Sequence, residues 1–123
     1  MRLAMENSTE TVGARLAANL AGMELAIERR DVVAYRTLDG EFHQLIVDCC
    51  DNLFLSEAYA GIAFRVQALR NRLSVDSELN RKSLTEHADL VMTIRSGDSA
   101  AAEACLRAHI RGTRAHYLAA LAG

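Results

Sequence analysis

Chemistry in this 123-residue chain would have to come from four histidines, three cysteines and sixteen acids, and the spacing of a few of them is informative. Asp39 and His43 stand four residues apart, so on a helix they point to one side, and Tyr35, Phe42 and Ile46 share that side. Both polar groups therefore border a core. His87 falls in an apolar stripe with Leu84, Val91 and Ile94, and His109 in another with Ala102 and Cys105, with Thr113 and His116 further along. A carboxylate taken out of water is costly unless paired, and a neutral imidazole needs partners for both nitrogens. Three imidazoles and one carboxylate converging on a divalent cation would satisfy all of them, since both are ligands for Zn, Ni, Mn or Fe-type ions. The same residues admit a plainer reading: hydrogen-bonded core histidines, and an Asp39 that caps or pairs with nearby Arg36. Spacing alone leaves both open.

The elements that must position these residues are helices. Proline is absent and aromatics make up 5% of the chain, while Ala, Leu, Arg and Glu dominate, a composition that disfavours sheets and lets helices run. Polar clusters at Arg29-Arg30-Asp31, Asp51-Asn52, Ser74-Val75-Asp76-Ser77 and Ser96-Gly97-Asp98-Ser99 divide the chain into about five helices. The first is expected from Thr9 to Glu28 with Ser8 or Thr9 as cap, the second from Val32 to Cys50 after Asp31, and the third from Leu53 to Leu73 after Asp51 or Asn52. The fourth runs from Glu78 to Arg95 and stops where Gly97 can turn left-handed; Asp98 caps the fifth, which reaches about Leu121. Short connections make sequential helices antiparallel neighbours, so the expected fold is all-α, an up-and-down bundle with sites between facing helices.

One domain is the limit for a chain of this size. Thirteen of the fourteen basic residues are Arg, with Lys82 the exception, but the formal charge is −2, so no global field draws the chain to nucleic acid or membrane. Cys49, Cys50 and Cys105 match no zinc or redox spacing and are expected as reduced thiols. No apolar run approaches a membrane span and the N-terminus lacks a signal peptide's hydrophobic stretch. A cytoplasmic protein is expected.

Leu38-Asp39-Gly40-Glu41-Phe42-His43, Asp51-Asn52-Leu53-Phe54-Leu55, Glu86-His87-Ala88-Asp89-Leu90, Ser96-Gly97-Asp98 and Ala108-His109-Ile110 follow one another in an order and spacing that resembles the ligand-binding domain of GntR-type transcriptional regulators of the FadR subfamily. The resemblance covers roughly Met23 to Leu118. Each piece is short, and together they are specific. In metal-binding members the Asp and His of the first motif, the Glu-His histidine and the late histidine hold one divalent metal, which by matching position implies Asp39, His43, His87 and His109. A small carboxylate effector at or beside that metal is implied as well, and so is a homodimer. His116 matches no family ligand and is expected in a groove or at the surface.

Further expectations follow from this frame. Arg65, on the third helix, is the candidate second anchor for the carboxylate, because a guanidinium can hold one in bidentate fashion. Asn52 is expected as a helix cap. The family's winged helix-turn-helix has no counterpart here, so no direct DNA binding is expected, whether the chain is a fragment or a stand-alone domain. The family's effector domain also opens with a helix for which Met1 to Ser8 is too short, leaving apolar surface on the second and fifth helices for a symmetric partner to cover. The rival reading is a stand-alone metal-dependent enzyme using the same three His and one Asp. It lacks a spare inward acid, since Glu41 and Glu86 point about 100° away from their ligand neighbours on a helix. A metal-free helical interaction module is the third reading.

Overall fold

The computed structural model describes residues 1–73 and 77–122. They form five helices: α1 (Arg2–Glu28), α2 (Val32–Asp48), α3 (Leu53–Leu73), α4 (Ser77–Arg95) and α5 (Ser99–Ala122). No strand occurs among the described residues, and no helix there is long and apolar enough to cross a membrane. The break expected at Ser74 to Ser77 falls largely on residues 74–76, outside the described residues.

The starts of α2, α3 and α5 are made by the residues expected to make them. Asp31 caps α2, its carboxylate accepting from the Ala34 N–H at 3.0 Å, and Asp98 caps α5 by accepting from Ala101 N–H at 3.0 Å. Asn52 caps α3 by accepting from Leu55 N–H at 3.1 Å. Each satisfies a helical donor that has no partner of its own. At the end of α1, Arg30 N–H donates to Ile27 and Asp31 N–H to Ala26, with Arg30 itself left-handed at φ 55°. This is the C-terminal pattern usually given to Gly; Gly97, at φ 81°, supplies it conventionally after α4. The second helix ends at Asp48 rather than Cys50, because Asp51 turns left-handed at φ 52° and Cys49 and Cys50 form the turn before it.

α1 corrects one expectation and confirms another. Ser8 is extended (φ −170°, ψ 104°), so α1 is two helical pieces across a kink, and the second begins where Ser8 Oγ accepts from Thr11 N–H at 3.0 Å. The piece before it, residues 2–7, is short but helical, and it buries Ala4 and Met5 in the core.

α1 packs on α2, α4 and α5; α4 packs on α5. The core between them holds Leu16, Met23, Tyr35, Phe42, Leu90 and Ile94, all essentially fully buried. α3 departs from the even bundle that sequential packing predicts: among the described residues it packs extensively on α2 alone. Tyr35 ties α2 to α4, its hydroxyl donating to the Asn80 carbonyl at 2.9 Å, which holds the helix of Asp39 and His43 against the helix of His87.

Candidate functional site

Four of the expected site residues meet. α2 supplies Asp39 and His43 one turn apart, α4 supplies His87 and α5 supplies His109. His87 Nε2 lies 3.0 Å from His109 Nε2, and His109 Nε2 lies 3.4 Å from His43 Nε2. Asp39 Oδ1 lies 3.3 Å from His87 Nε2 and 3.8 Å from His43 Nε2. The ring nitrogens of the three histidines form one compact cluster. His87 is fully buried and His109 nearly so, while Asp39 and His43 are only slightly open. Phe42 stacks on His87 with ring centroids 4.0 Å apart, and the His43 and His109 rings lie parallel within 4°.

Hydrogen bonding satisfies this cluster only in part. A neutral imidazole nitrogen carries either one proton or one lone pair, so it serves one partner in the ring plane. Three Nε2 atoms and a carboxylate oxygen facing one another can therefore be paired by shared protons only two by two, whereas one cation would engage all four at once. Asp39 Oδ1, His87 Nδ1 and His109 Nδ1 are buried without a hydrogen-bond partner. Burial, reinforced by Arg70 and the adjacent His109, pushes His43 down to about 3. Burial likewise holds His87 far below the ordinary histidine range, with His43, His109 and Arg70 adding to it. Both rings are thus neutral at physiological pH, with lone pairs to offer. Neighbouring ligands of an ion bound at about 2.0–2.1 Å stand roughly 1.4 to 1.6 bond lengths apart, or about 2.8–3.4 Å. The 3.0 and 3.4 Å separations between the histidine nitrogens fit that spacing, and the donor set suits Zn and related ions.

α3 adds the positive charge. Arg70, buried despite its guanidinium, places Nε 3.1 Å from Asp39 Oδ2, leaving Oδ1 turned to the histidines. Asp39 therefore pairs across the helix interface with Arg70, rather than within its own helix with Arg36. Burial pushes the Asp39 carboxyl up, against the pull of Arg70 and His109. Gly40 permits the close approach of α3: a methyl group there would run into the Gln67 side chain.

The cluster opens into a cavity of about 490 Å³ walled by α2, α3, α4 and α5, in which Asp39, His43 and His109 stand with Arg70 and Tyr59. That volume suits a small metabolite. Burial raises the Tyr59 pKa, although the neighbouring Arg70 opposes the shift. His116 also lines the cavity, so it is a groove residue.

Two assignments change. Arg65 is exposed and does not line the cavity; the guanidinium at the site belongs to Arg70, on the opposite side of the same helix. Glu86 does reach the site, because α5 packs beside α4 and covers the face next to His87: Glu86 Oε1 lies 3.5 Å from His109 Nδ1 and the residue lines the cavity. The carboxylate faces the His109 nitrogen that looks away from the cluster, without hydrogen-bonding it. Neither Arg70 nor Tyr59 was marked out by sequence. The signal for Arg70 was an arginine five residues beyond Arg65, and only the packing face of α3 separates the two.

The family model of the FCD domain matches residues 1–112. No curated protein and no solved structure matches the chain. With nearly the whole length matched and an all-α bundle in hand, the chain belongs to the FCD family, the C-terminal domains of GntR-type transcriptional regulators.

Proposed function

We propose that this FCD domain is the effector-sensing part of a cytoplasmic GntR-type regulator of the FadR subfamily, with one divalent metal held by Asp39, His43, His87 and His109. Its effector is a small carboxylate metabolite. The observation that carries this reading is the convergence of three histidine nitrogens and the Asp39 carboxylate at one secluded point, opening on a cavity with a buried arginine. When bound, the ion supplies Lewis-acid attraction for a carboxylate oxygen. The chain's own residues do the rest. Phe42 and Glu86 fix the rings of His87 and His109, Arg70 holds Asp39 in place, and Arg70 with Tyr59 presents donors to the carboxylate. Binding is then a coupling of free energies: a ligand that fits one arrangement of the helices better than another shifts the population between them.

On this reading residues 1–123 form one effector-binding domain that self-associates as a homodimer, and DNA is contacted through a separate winged helix-turn-helix. The alternative, a stand-alone metal-dependent enzyme, needs a general base at the metal. Glu86 is an acid on the cavity wall, and its Oε1 faces His109 Nδ1.

Elemental analysis of protein purified without an affinity tag is expected to find one divalent ion per chain, and His87→Ala is expected to lose both the ion and the metal-dependent rise in melting temperature. Mono- and dicarboxylates at about 100 times their dissociation constant should stabilise the metal-loaded protein by about 2.7 kcal/mol, and the stripped protein much less. Full metal occupancy in His87→Ala overturns the ligand set. Equal carboxylate shifts with and without metal overturn the effector's place beside it.

A further inference from the structure

Five of the large apolar side chains exposed on this molecule belong to α3: Leu53, Phe54, Leu55, Ile62 and Phe64, with Phe54 86% and Phe64 80% exposed. α2 exposes Val32 and Val33, and α5 exposes Ile110 and Leu118. The apolar surface expected on the second and fifth helices is thus concentrated on the third. One side of α3 carries Tyr59, Ala63, Val66, Gln67 and Arg70, all at least half-buried, and it meets α2 where Gln67 donates to the Arg36 carbonyl and Arg70 pairs with Asp39. The opposite side carries Phe54, Glu57, Ala58, Gly61, Phe64, Arg65 and Ala68, every one exposed. At about 100° per residue these seven fall within roughly 60° of Gly61. They form one continuous stripe, and nothing lies within 4 Å of a methyl group placed on Gly61.

The order of residues along the stripe names its occupant. Reflected about Gly61, position 54 meets 68, 57 meets 65 and 58 meets 64. Two copies of α3 laid antiparallel about that point therefore bring Phe54 level with Ala68, Phe64 level with Ala58, and Glu57 level with Arg65. Large meets small twice, and acid meets base, on each side of the axis. Sliding the axis one turn toward the N-terminus would set Glu57 against Glu57, and one turn the other way Arg65 against Arg65. Both slips are repelled, so charge selects the register that size also selects. Gly61 at the centre, with Ala58 and Ala68 beside it, permits the close approach of the two backbones.

We infer that the domain forms an isologous dimer through antiparallel pairing of α3 with α3 of a second copy of this chain, on a two-fold axis at Gly61. The inference locates the self-association proposed above. It gives Arg65 a role in the interface.

The test is charge reversal in the full 123-residue chain, read by sedimentation or light scattering at micromolar concentration. The wild-type protein is expected at twice the 13.5 kDa chain mass. Glu57→Arg and Arg65→Glu each put like charges face to face and should weaken association by at least about ten-fold. The double variant restores opposite charges and should restore the dimer. A wild-type monomer overturns self-association and this face together. A dimer indifferent to both single variants overturns this face alone, and weakening without rescue in the double variant overturns the register. Metal content, measured on the same samples, is expected to be unchanged throughout, so the site and the interface fail or survive separately.

Discussion

The histidine cluster and the outer face of α3 break opposite rules of protein anatomy. In one, three imidazoles and a carboxylate are drawn into the interior with buried polar atoms left unpaired. In the other, phenylalanines and aliphatic side chains stand in water along a helix with a single extensive contact. Each region is incomplete as a bare protein, and the chemistry of what each exposes tells what would complete it. On the proposed reading, the gathered ring nitrogens and carboxylate are completed by a cation. A large apolar patch calls for apolar surface, and here the patch carries its own complement in reverse order.

The sharpest way to break this contrast is to exchange the roles of two phenylalanines. Phe42 is fully buried and stacked on His87, whereas Phe64 is 80% exposed. Phe42→Ala should cost about 3–5 kcal/mol in chemical denaturation, the usual toll for removing a buried ring. A cost below 1 kcal/mol would mean that the site end of the bundle is not a packed interior.

A second probe is acid, applied to protein stripped of metal. Burial lowers both His43, to about 3, and His87 below their ordinary value of 6.5. Between these limits the unfolded chain holds more protons than the folded one, so stability is full above pH 6.5 and falls as pH drops. Each group contributes a slope of about 1.4 kcal/mol per pH unit. Asp39, pushed up from 3.8, acts in the opposite sense just above that pH. Urea midpoints measured between pH 7 and pH 5 should show this loss, and a flat profile would place the histidines in contact with solvent.

Glu86→Gln is expected to act more gently. It keeps the shape of the group behind His109 but removes its charge, and should weaken metal binding by about 10–100-fold while leaving the dimer intact. Metal affinity measured by competition with a chelator decides it, and unchanged affinity would make the 3.5 Å contact with His109 incidental. The smallest effect belongs to Phe64→Ala: in dilute, monomeric protein its stability should stay within about 0.5 kcal/mol of wild type.

The two regions also differ in how far sequence reveals them. Every cap residue found here stands at a polar break, and Leu53–Leu73 is bounded as read, because Asn52 is a donor-satisfying side chain just before an apolar run. The four clustered site residues are legible for a similar reason. On α2, α4 and α5 the apolar residues fall on one stripe, so a polar residue within that stripe must face inward. α3 offers no such guide. Its apolar residues lie on both sides, Val66 and Leu69 toward the cavity and Phe54 and Phe64 toward solvent, so periodicity cannot tell its inner face from its outer one. Arg65 and Arg70 differ only in that phase. Glu86 was misplaced by a related simplification: about 100° away from a buried neighbour means solvent only when a helix has one packed face, and α4 is covered by α1 on one side and α5 on another.

Arg70 lines the cavity from the same helix whose far side carries Gly61, and among the described residues α3 is braced extensively by one neighbour only. A rod supported along one line rolls about that line as a unit. Any tug on the guanidinium at the inner surface is matched by a swing of the residues diametrically opposite, with no chain of intermediate side chains needed to relay it. In the proposed dimer the two surfaces of α3 would be geared to each other by the stiffness of the helix, and the angle at which the second copy is held would follow what occupies the cavity.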